Sequence, residues 1–379
     1  MEASRPDVRS VFDTDSWEAL RRTDRYFHHI LETHKSRILL GMSKPLAYVA
    51  AISAVACACG AAMQAGLLPA FLPALGSQLK EFFNLTSFAM SLLLVFRTNS
   101  SYARWEEGRR LWGQVLNRTR DICRLGLAWV GDEERHVRAL LLRWAPAFSK
   151  ALMCHLRKGE DLRQELQGLL LPHEIDGLMR AQHRPNYVLQ VLTHAARAAR
   201  VPDRVVLRMH DSVAQLEDAL GGCERLLQTP VPTFYTRLTS RFLMTWMTAL
   251  PFVLWPTCGL LAAPLSLLIS FLLLGIDKIG VSIEEPFSIL ALSDIANNAA
   301  GDVRELCDMH EGGPGQQHVP CPELVGTSAL DPCCCGMHNE GSSSILAFSQ
   351  GAAPLTAPAT DSQAPDGGTR TAVLAGDGA

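Results

Sequence analysis

"SLLLVFRTNSSYARWEEGRRLWG", residues 91–113, carries an apolar helical pattern into Phe96 and then meets Arg97, with Arg104, Glu106, Glu107, Arg109 and Arg110 close behind. Upstream, residues 82–96 hold no charged side chain. At 1.5 Å per residue that stretch covers only ~22 Å, short of the ~30 Å hydrocarbon core of a bilayer. A helix crossing here therefore has to run on past Arg97 while still near the membrane. An arginine facing lipid at that depth is costly, whereas one facing protein, water or the interface is not.

Two more stretches without charge flank this one, residues 45–79 between Lys44 and Lys80, and residues 242–276 between Arg241 and Asp277. Each exceeds the ~20 residues that span a bilayer. Pro69, Pro73 and Gly76 punctuate the first and Pro251, Pro256, Gly259 and Pro264 the second. Such residues break helices, so each run reads as part of a hairpin, the second turning near Thr257–Pro264. Positive charge gathers on one side: Arg21, Arg22, Arg25, Lys35, Arg37 and Lys44 before the first span, Arg97 and Arg104 after the second, Arg237 and Arg241 before the third. Four spans with both termini beside the polar body satisfy the positive-inside bias. Buried hairpins in a soluble protein are the alternative, and the run lengths and flanking charges fit it less well.

The expected organisation is an all-α membrane protein. An N-terminal segment and basic amphipathic lead-in helix occupy 1–44, and a transmembrane hairpin 45–96. A helical soluble-side domain fills 97–241, a second hairpin 242–278 and a post-membrane helical segment 279–310. A tail rich in Gly, Pro, Ser and Ala fills 311–379. In the soluble-side part, Val137, Leu140, Leu141, Trp144, Phe148 and Leu152 share one helix side. Val206, Val213, Leu220 and Leu227 recur every seven residues, with Met209, Leu216 and Cys223 three after the first three, an a/d seam that packs along other helices. No run alternates with period two.

Composition excludes several classes. The chain is 48% hydrophobic and 19% charged with a net charge of −3, and its tail sets Glu311, Glu323, Asp331, Glu340, Asp361, Asp366 and Asp377 against Arg370 alone. A mildly basic body with an acidic tail, lacking basic runs interleaved with aromatics, does not point to nucleic acid. Residues 1–16, with four acids and no apolar core, resemble neither a signal peptide nor an acid-poor transit peptide. Cys321, Cys333, Cys334, Cys335 and His338 crowd the tail without paired CxxC-like spacing, so no metal site is expected there. GxSxG, HExxH, Walker and GxGxxG motifs are all missing. The histidines are dispersed, His28 and His29 falling on the lead-in helix. Glu106 and Glu107 are expected to pair with neighbouring arginines along their own helix, and Glu284 and Glu285 to begin a helix ahead of Pro286. Neither pair forms a reaction centre; no enzyme activity and no cofactor are expected. Phe88, Leu92 and Phe96 recur every four residues and so share a helix face, a pattern that a lipid-facing helix also produces.

The stretch FRTNSSYARWEEGRRLWG (96–113) resembles the signature of the bestrophin family, particularly its bacterial, plant and algal branch. LGGCERLLQTPVP (220–232) and IGVSIEEPFSIL (279–290) agree with the family in order and spacing, and the resemblance extends over roughly residues 11–310. Arg97, Tyr102, Arg104, Arg109, Trp112, Glu285, Pro286 and Phe287 carry the signature. The resemblance implies a homopentameric anion channel for chloride, bicarbonate or another monovalent anion, with lipid and its own copies as partners. It places Phe88, Leu92 and Phe96 on an apolar pore neck that can gate by dewetting. It puts Arg97 and its neighbours in subunit contacts or the inner funnel, and a second, inner aperture at Arg204. Animal members clasp calcium with a run of acids after the Pro-Phe. Here SILALSD follows Phe287, leaving Asp294 as the only acid before Asp302, too few carboxylates for that clasp. The wording EEPFSIL resembles photosynthetic-lineage members and implies the chloroplast thylakoid membrane. A coupled anion carrier, or a membrane scaffold with an interaction tail, stays open as an alternative, although no inverted repeat of the carrier type is evident.

From Gly312 onward Phe348 is the only aromatic residue, a composition that cannot bury enough apolar surface to offset ordering entropy. Hydrogen exchange there is expected to show no protection; slow exchange around Cys333–His338, lost on chelation and restored by zinc, would reverse that expectation.

Overall fold

The computed structural model describes residues 11, 14–21, 37–67 and 72–311, and every regular element among them is helical. In chain order they are α1 (Thr14–Arg21), α2 (Arg37–Gln64), α3 (Leu72–Trp129), α4 (Arg135–Leu156), α5 (Leu162–Glu165), α6 (Pro172–Arg180), α7 (Arg184–Ala198), α8 (Asp203–Gln228), α9 (Thr233–Cys258), α10 (Ala262–Glu284) and α11 (Leu292–Glu311). Short 3₁₀ turns at Asp132–Glu134, Gly259–Leu261 and Pro286–Ser288 link neighbours. The tail, and most of the lead-in segment with His28 and His29, lie outside the described residues.

Two stretches, Gly41–Gln64 and Thr233–Glu284, are long and apolar enough to cross a membrane. The second is the pair α9 and α10, broken at Gly259, whose positive φ of 55° suits a residue without a Cβ. Pro45 lies inside α2 and not at its start, as the charge pattern alone suggested. The missing amide costs a helical bond, but Met42 and Val49 on either side of it are both buried. They pack with Met90 and Leu94 of α3, Leu243 and Met247 of α9 and Leu274 of α10, which holds the helix together across the proline.

α3 is the spine. Its 58 residues reach about 87 Å, so it belongs both to the apolar bundle and to the helical body. The break expected over Pro73 and Gly76 does not extend into it. Leu72 begins the helix, Pro73 falls in its first turn, where no intrahelical partner for an N–H is needed, and Gly76 is simply helical.

Below the apolar bundle, α3, α4, α6, α7, α8 and α11 enclose one continuous core. Val137, Leu141, Trp144, Phe148 and Leu152 of α4 are buried in it, as are Met209, Val213, Leu216, Leu220 and Cys223 of α8. Leu227, at the end of the α8 seam, is exposed instead. Asp121 ties α3 to α8: it accepts a hydrogen bond from the Ser212 hydroxyl at 2.9 Å and ion-pairs with Arg124 at 2.5 Å and Arg208 at 3.2 Å. Burial pushes its carboxyl up, but these donors outweigh burial and hold it below the ordinary aspartate value.

Gly60 marks the closest approach in the apolar bundle, since a Cβ there would lie 1.9 Å from Cε2 of Trp255. Gly60→Ala is expected to cost about 1–3 kcal/mol through overpacking. Gly221→Ala, with open space around its Cβ position, is expected to be neutral or to gain up to about 1 kcal/mol from helix propensity. Melting temperatures of the two variants in one detergent check the contrast, and equal effects would contradict the α2–α9 contact.

Candidate functional site

The opening stretch becomes one face of α3. The expected neck residues are exposed, Phe88 at 74%, Leu92 at 40% and Phe96 at 54%, and Leu85 above them at 78%. Exposure continues down the same helix through Asn99, Ser100, Tyr102, Ala103, Glu106, Arg109 and Arg110. The opposite face is closed: Met90, Leu94, Ser101, Trp112, Val115 and Ile122 are buried. A face made only for lipid ends where the apolar residues end. This one passes from apolar to small and polar, then to charged, without being covered.

What holds the other face explains how an arginine can follow Phe96. Arg97 is 5% exposed and ion-pairs with Asp277, about two turns before the end of α10. It is turned into its own chain, not into the inner funnel or a subunit contact as expected. Removing both charges from water is costly, and only close pairing offsets that. Two turns on, α3 meets the ends of two helices. Arg104 donates from Nε to the Glu284 carbonyl at 3.0 Å, from Nη1 to the Thr229 carbonyl at 2.8 Å and from Nη2 to the Leu226 carbonyl at 2.5 Å. Its planar fork thus caps the C-termini of α8 and α10 together, where carbonyls lack intrahelical partners and the helix dipole is negative. Glu284 accepts the Val231 N–H at 3.1 Å, and Tyr235 donates to the Leu93 carbonyl at 3.2 Å. Glu284 closes α10 where it was expected to start a helix, while the exposed Glu285 is both the C-cap of α10 and the N-cap of the short 3₁₀ turn that begins at the buried Pro286.

Glu107 pairs with Arg225 of α8, and not along its own helix as its i+3 and i+4 neighbours suggested. Cross-helix pairing wins because α3 and α8 run side by side here and Arg109 and Arg110 turn outward. Of the other signature residues, Trp112 and Phe287 are fully buried and Pro286 is buried, its ring against Gly108, where a Cβ would come within 2.9 Å of it. Tyr102 is exposed, its ring 5.7 Å from that of Trp105. Arg157, which the sequence did not single out, donates to the carbonyls of Phe287 at 2.7 Å and Leu290 at 2.5 Å, and so pins the turn after α10.

Arg204 is exposed in the first turn of α8, its guanidinium 6.0 Å from the ring centroid of Trp129, the last residue of α3. Trp129 lies 33 positions beyond Phe96, about 50 Å along the helix. Arg204, on α8 beside the far end of α3, and the neck residues are therefore separate places along the length of α3. His155, His183 and Glu224 come together on the helical body, although nothing in their spacing connects them.

With this geometry in hand, comparison with known proteins is specific. The family model described as Bacterial/Fungal Bestrophin protein matches residues 18–305. Voltage-dependent chloride channel 1, chloroplastic, of Arabidopsis thaliana is 32% identical over 299 residues, covering 78% of this chain and 73% of its own. A voltage-dependent anion channel-forming protein of Nostoc is 31% identical over 259 residues, covering 64% of this chain and 80% of its own. The crystal structure of a bacterial bestrophin homologue from Klebsiella pneumoniae superposes with a TM-score of 0.60 at 26% identity, over 70% of this chain and 98% of that one.

Arg97→Leu alone is expected to destabilise the protein by about 3–5 kcal/mol, because it leaves the Asp277 carboxylate buried without a partner. The double variant Arg97→Leu/Asp277→Leu is expected to recover most of that loss. Thermal unfolding in detergent measures both, and a single variant no worse than the double would show that the pair does not clamp α3 to α10.

Proposed function

The chain belongs to the bestrophin family, and on that basis we propose that it assembles as a homopentameric anion channel with the exposed face of α3 lining its axis. It is a membrane protein. In this proposal α2, the apolar start of α3, α9 and α10 are its four spans, and both termini lie on the side of the helical body. The permeant ions are chloride and, as a second monovalent anion, bicarbonate. The membrane is the chloroplast thylakoid; the Arabidopsis relative carries the word chloroplastic in its name.

The observation that carries the proposal is the uncovered stripe on α3. Phe88, Leu92 and Phe96 stand exposed above a polar and then charged continuation of the same face. Around a symmetry axis they would form stacked apolar rings, which can gate by dewetting. Anions pass such rings more readily than strongly hydrated cations, and the positive edges of the phenylalanines favour them. Below the neck, Arg109 and Arg110 and, far along the spine, Arg204 would add positive charge, with Arg204 forming a second, inner aperture. The clamps described above support the same arrangement, since Arg97 and Arg104 fix the rear of α3 and leave its front free.

Replacing the neck by alanine (F88A/L92A/F96A) tests this directly. Conductance or open probability in planar bilayers is expected to rise, while preference for anions over cations largely survives. Native mass spectrometry of the same preparation is expected to give about five chains per particle. Side chains that instead pack against lipid or neighbours would lose about 2–5 kcal/mol each on truncation and impair assembly. Intact pentamers with wild-type conductance and gating would show that this face does not line the pore.

A further inference from the structure

We propose that His155, His183 and Glu224 form a binding site for a divalent transition metal of the zinc class on the helical body, separate from the ion path. The three residues come from distant parts of the chain. His155 lies in the last turn of α4, His183 is the N-cap of α7, and Glu224 stands near the end of α8. Nε2 of His155 and Nε2 of His183 each lie 2.8 Å from the same oxygen, Oε1 of Glu224. The imidazole centroids are 4.8 Å apart, and the donor atoms of all three residues lie within 4.8 Å of one another.

That spacing suits a small ion. Zinc binds imidazole nitrogen and carboxylate oxygen at about 2.0–2.2 Å, which puts neighbouring donors in a tetrahedral shell about 3.3 Å apart. The two 2.8 Å contacts would open by only about half an ångström to admit it. Partial exposure of all three side chains leaves the fourth position to water. Two imidazoles with a single carboxylate select zinc, cobalt, nickel or copper over calcium and magnesium, which prefer shells of oxygen.

The competing arrangement is a carboxylate that simply accepts two imidazole hydrogen bonds, and the proton on His183 separates the two. Nδ1 of His183 accepts the Asn186 N–H at 3.3 Å, so its proton sits on Nε2 and points to Glu224. Metal at Nε2 needs the other neutral tautomer: the ring's one proton moves from Nε2 to Nδ1, and the Asn186 bond to Nδ1 is given up. That bond is long, and Pro185 in the first turn of α7 presets the helix start, so little holds the ring in its present tautomer. A bound ion would tie α4, α7 and α8 together at the end of α8 that α3 already grips. Arg225, next to Glu224, pairs with Glu107, and Arg104 holds the carbonyl of Leu226.

The test is a zinc titration of the purified full chain against a competing fluorescent chelator. Saturable binding of about one ion per chain is expected, weakened at least about tenfold in H155A and in H183A. E224Q, which keeps volume and one hydrogen-bond acceptor, is expected to weaken it likewise and guards against misfolding of the histidine variants. Cobalt in place of zinc is expected to give ligand-field bands without thiolate charge transfer, and zinc is expected to speed exchange of the Asn186 amide. No saturable binding, binding unchanged in all three variants, or a thiolate cobalt spectrum pointing to the tail cysteines would each overturn the site.

Discussion

Everything in this molecule hangs on how α3 is held from behind. A helix of 58 residues shared between an apolar bundle and a helical body has to place charge at the junction. It does so with two arginines. Arg97 finds a carboxylate, Asp277, within its own chain, and Arg104 finds three carbonyls at the ends of α8 and α10. The acceptors of Arg104 lie at helix C-termini, where the backbone already presents negative partial charge. One guanidinium therefore satisfies acceptors that would otherwise be left unpaired and also joins the helices that carry them. A lysine could not do this, because its point charge lacks the planar fork that reaches three carbonyls at fixed angles.

The same clamps determine which face of α3 is left over. Packing against α8, α9 and α10 takes up Met90, Leu94, Ser101, Trp112 and Val115. Phe88, Leu92 and Phe96 then stand outside, one above another, with Tyr102, Glu106 and Arg110 continuing below. Among the described residues, nothing in a single chain covers that face. Its chemistry changes along its length as a passage from membrane to water would demand, and it would place aromatic edges at the narrow part and guanidinium groups in the wider part. The turn after α10 matters for the same reason: Pro286 locks against Gly108, and Arg157 grips the carbonyls of Phe287 and Leu290 from the end of α4. The body cannot shift along α3 without breaking those contacts.

Much of this was legible in the order of residues, because it follows from local periodicity and solvent preference. Charge-free runs announced α2, α9 and α10, and the shortness of residues 82–96 required a helix continuing past Arg97. Most of the residues that the heptads in α8 and the apolar stripe of α4 named are buried. Four-residue spacing put Phe88, Leu92 and Phe96 on one face, and the stretch 96–113 carried the family. Partners were a different matter. The sequence by itself determined which segments are helical, which are apolar and which arginines needed an explanation, since those depend on each residue and its near neighbours. Only the tertiary structure decided that Arg97 meets Asp277, that Arg104 closes two helices, that Glu107 turns to Arg225, and that His155, His183 and Glu224 converge. These pairs stand tens to nearly two hundred positions apart, and an ion pair or a ligand set is fixed by distance in space, which no spacing along the chain encodes.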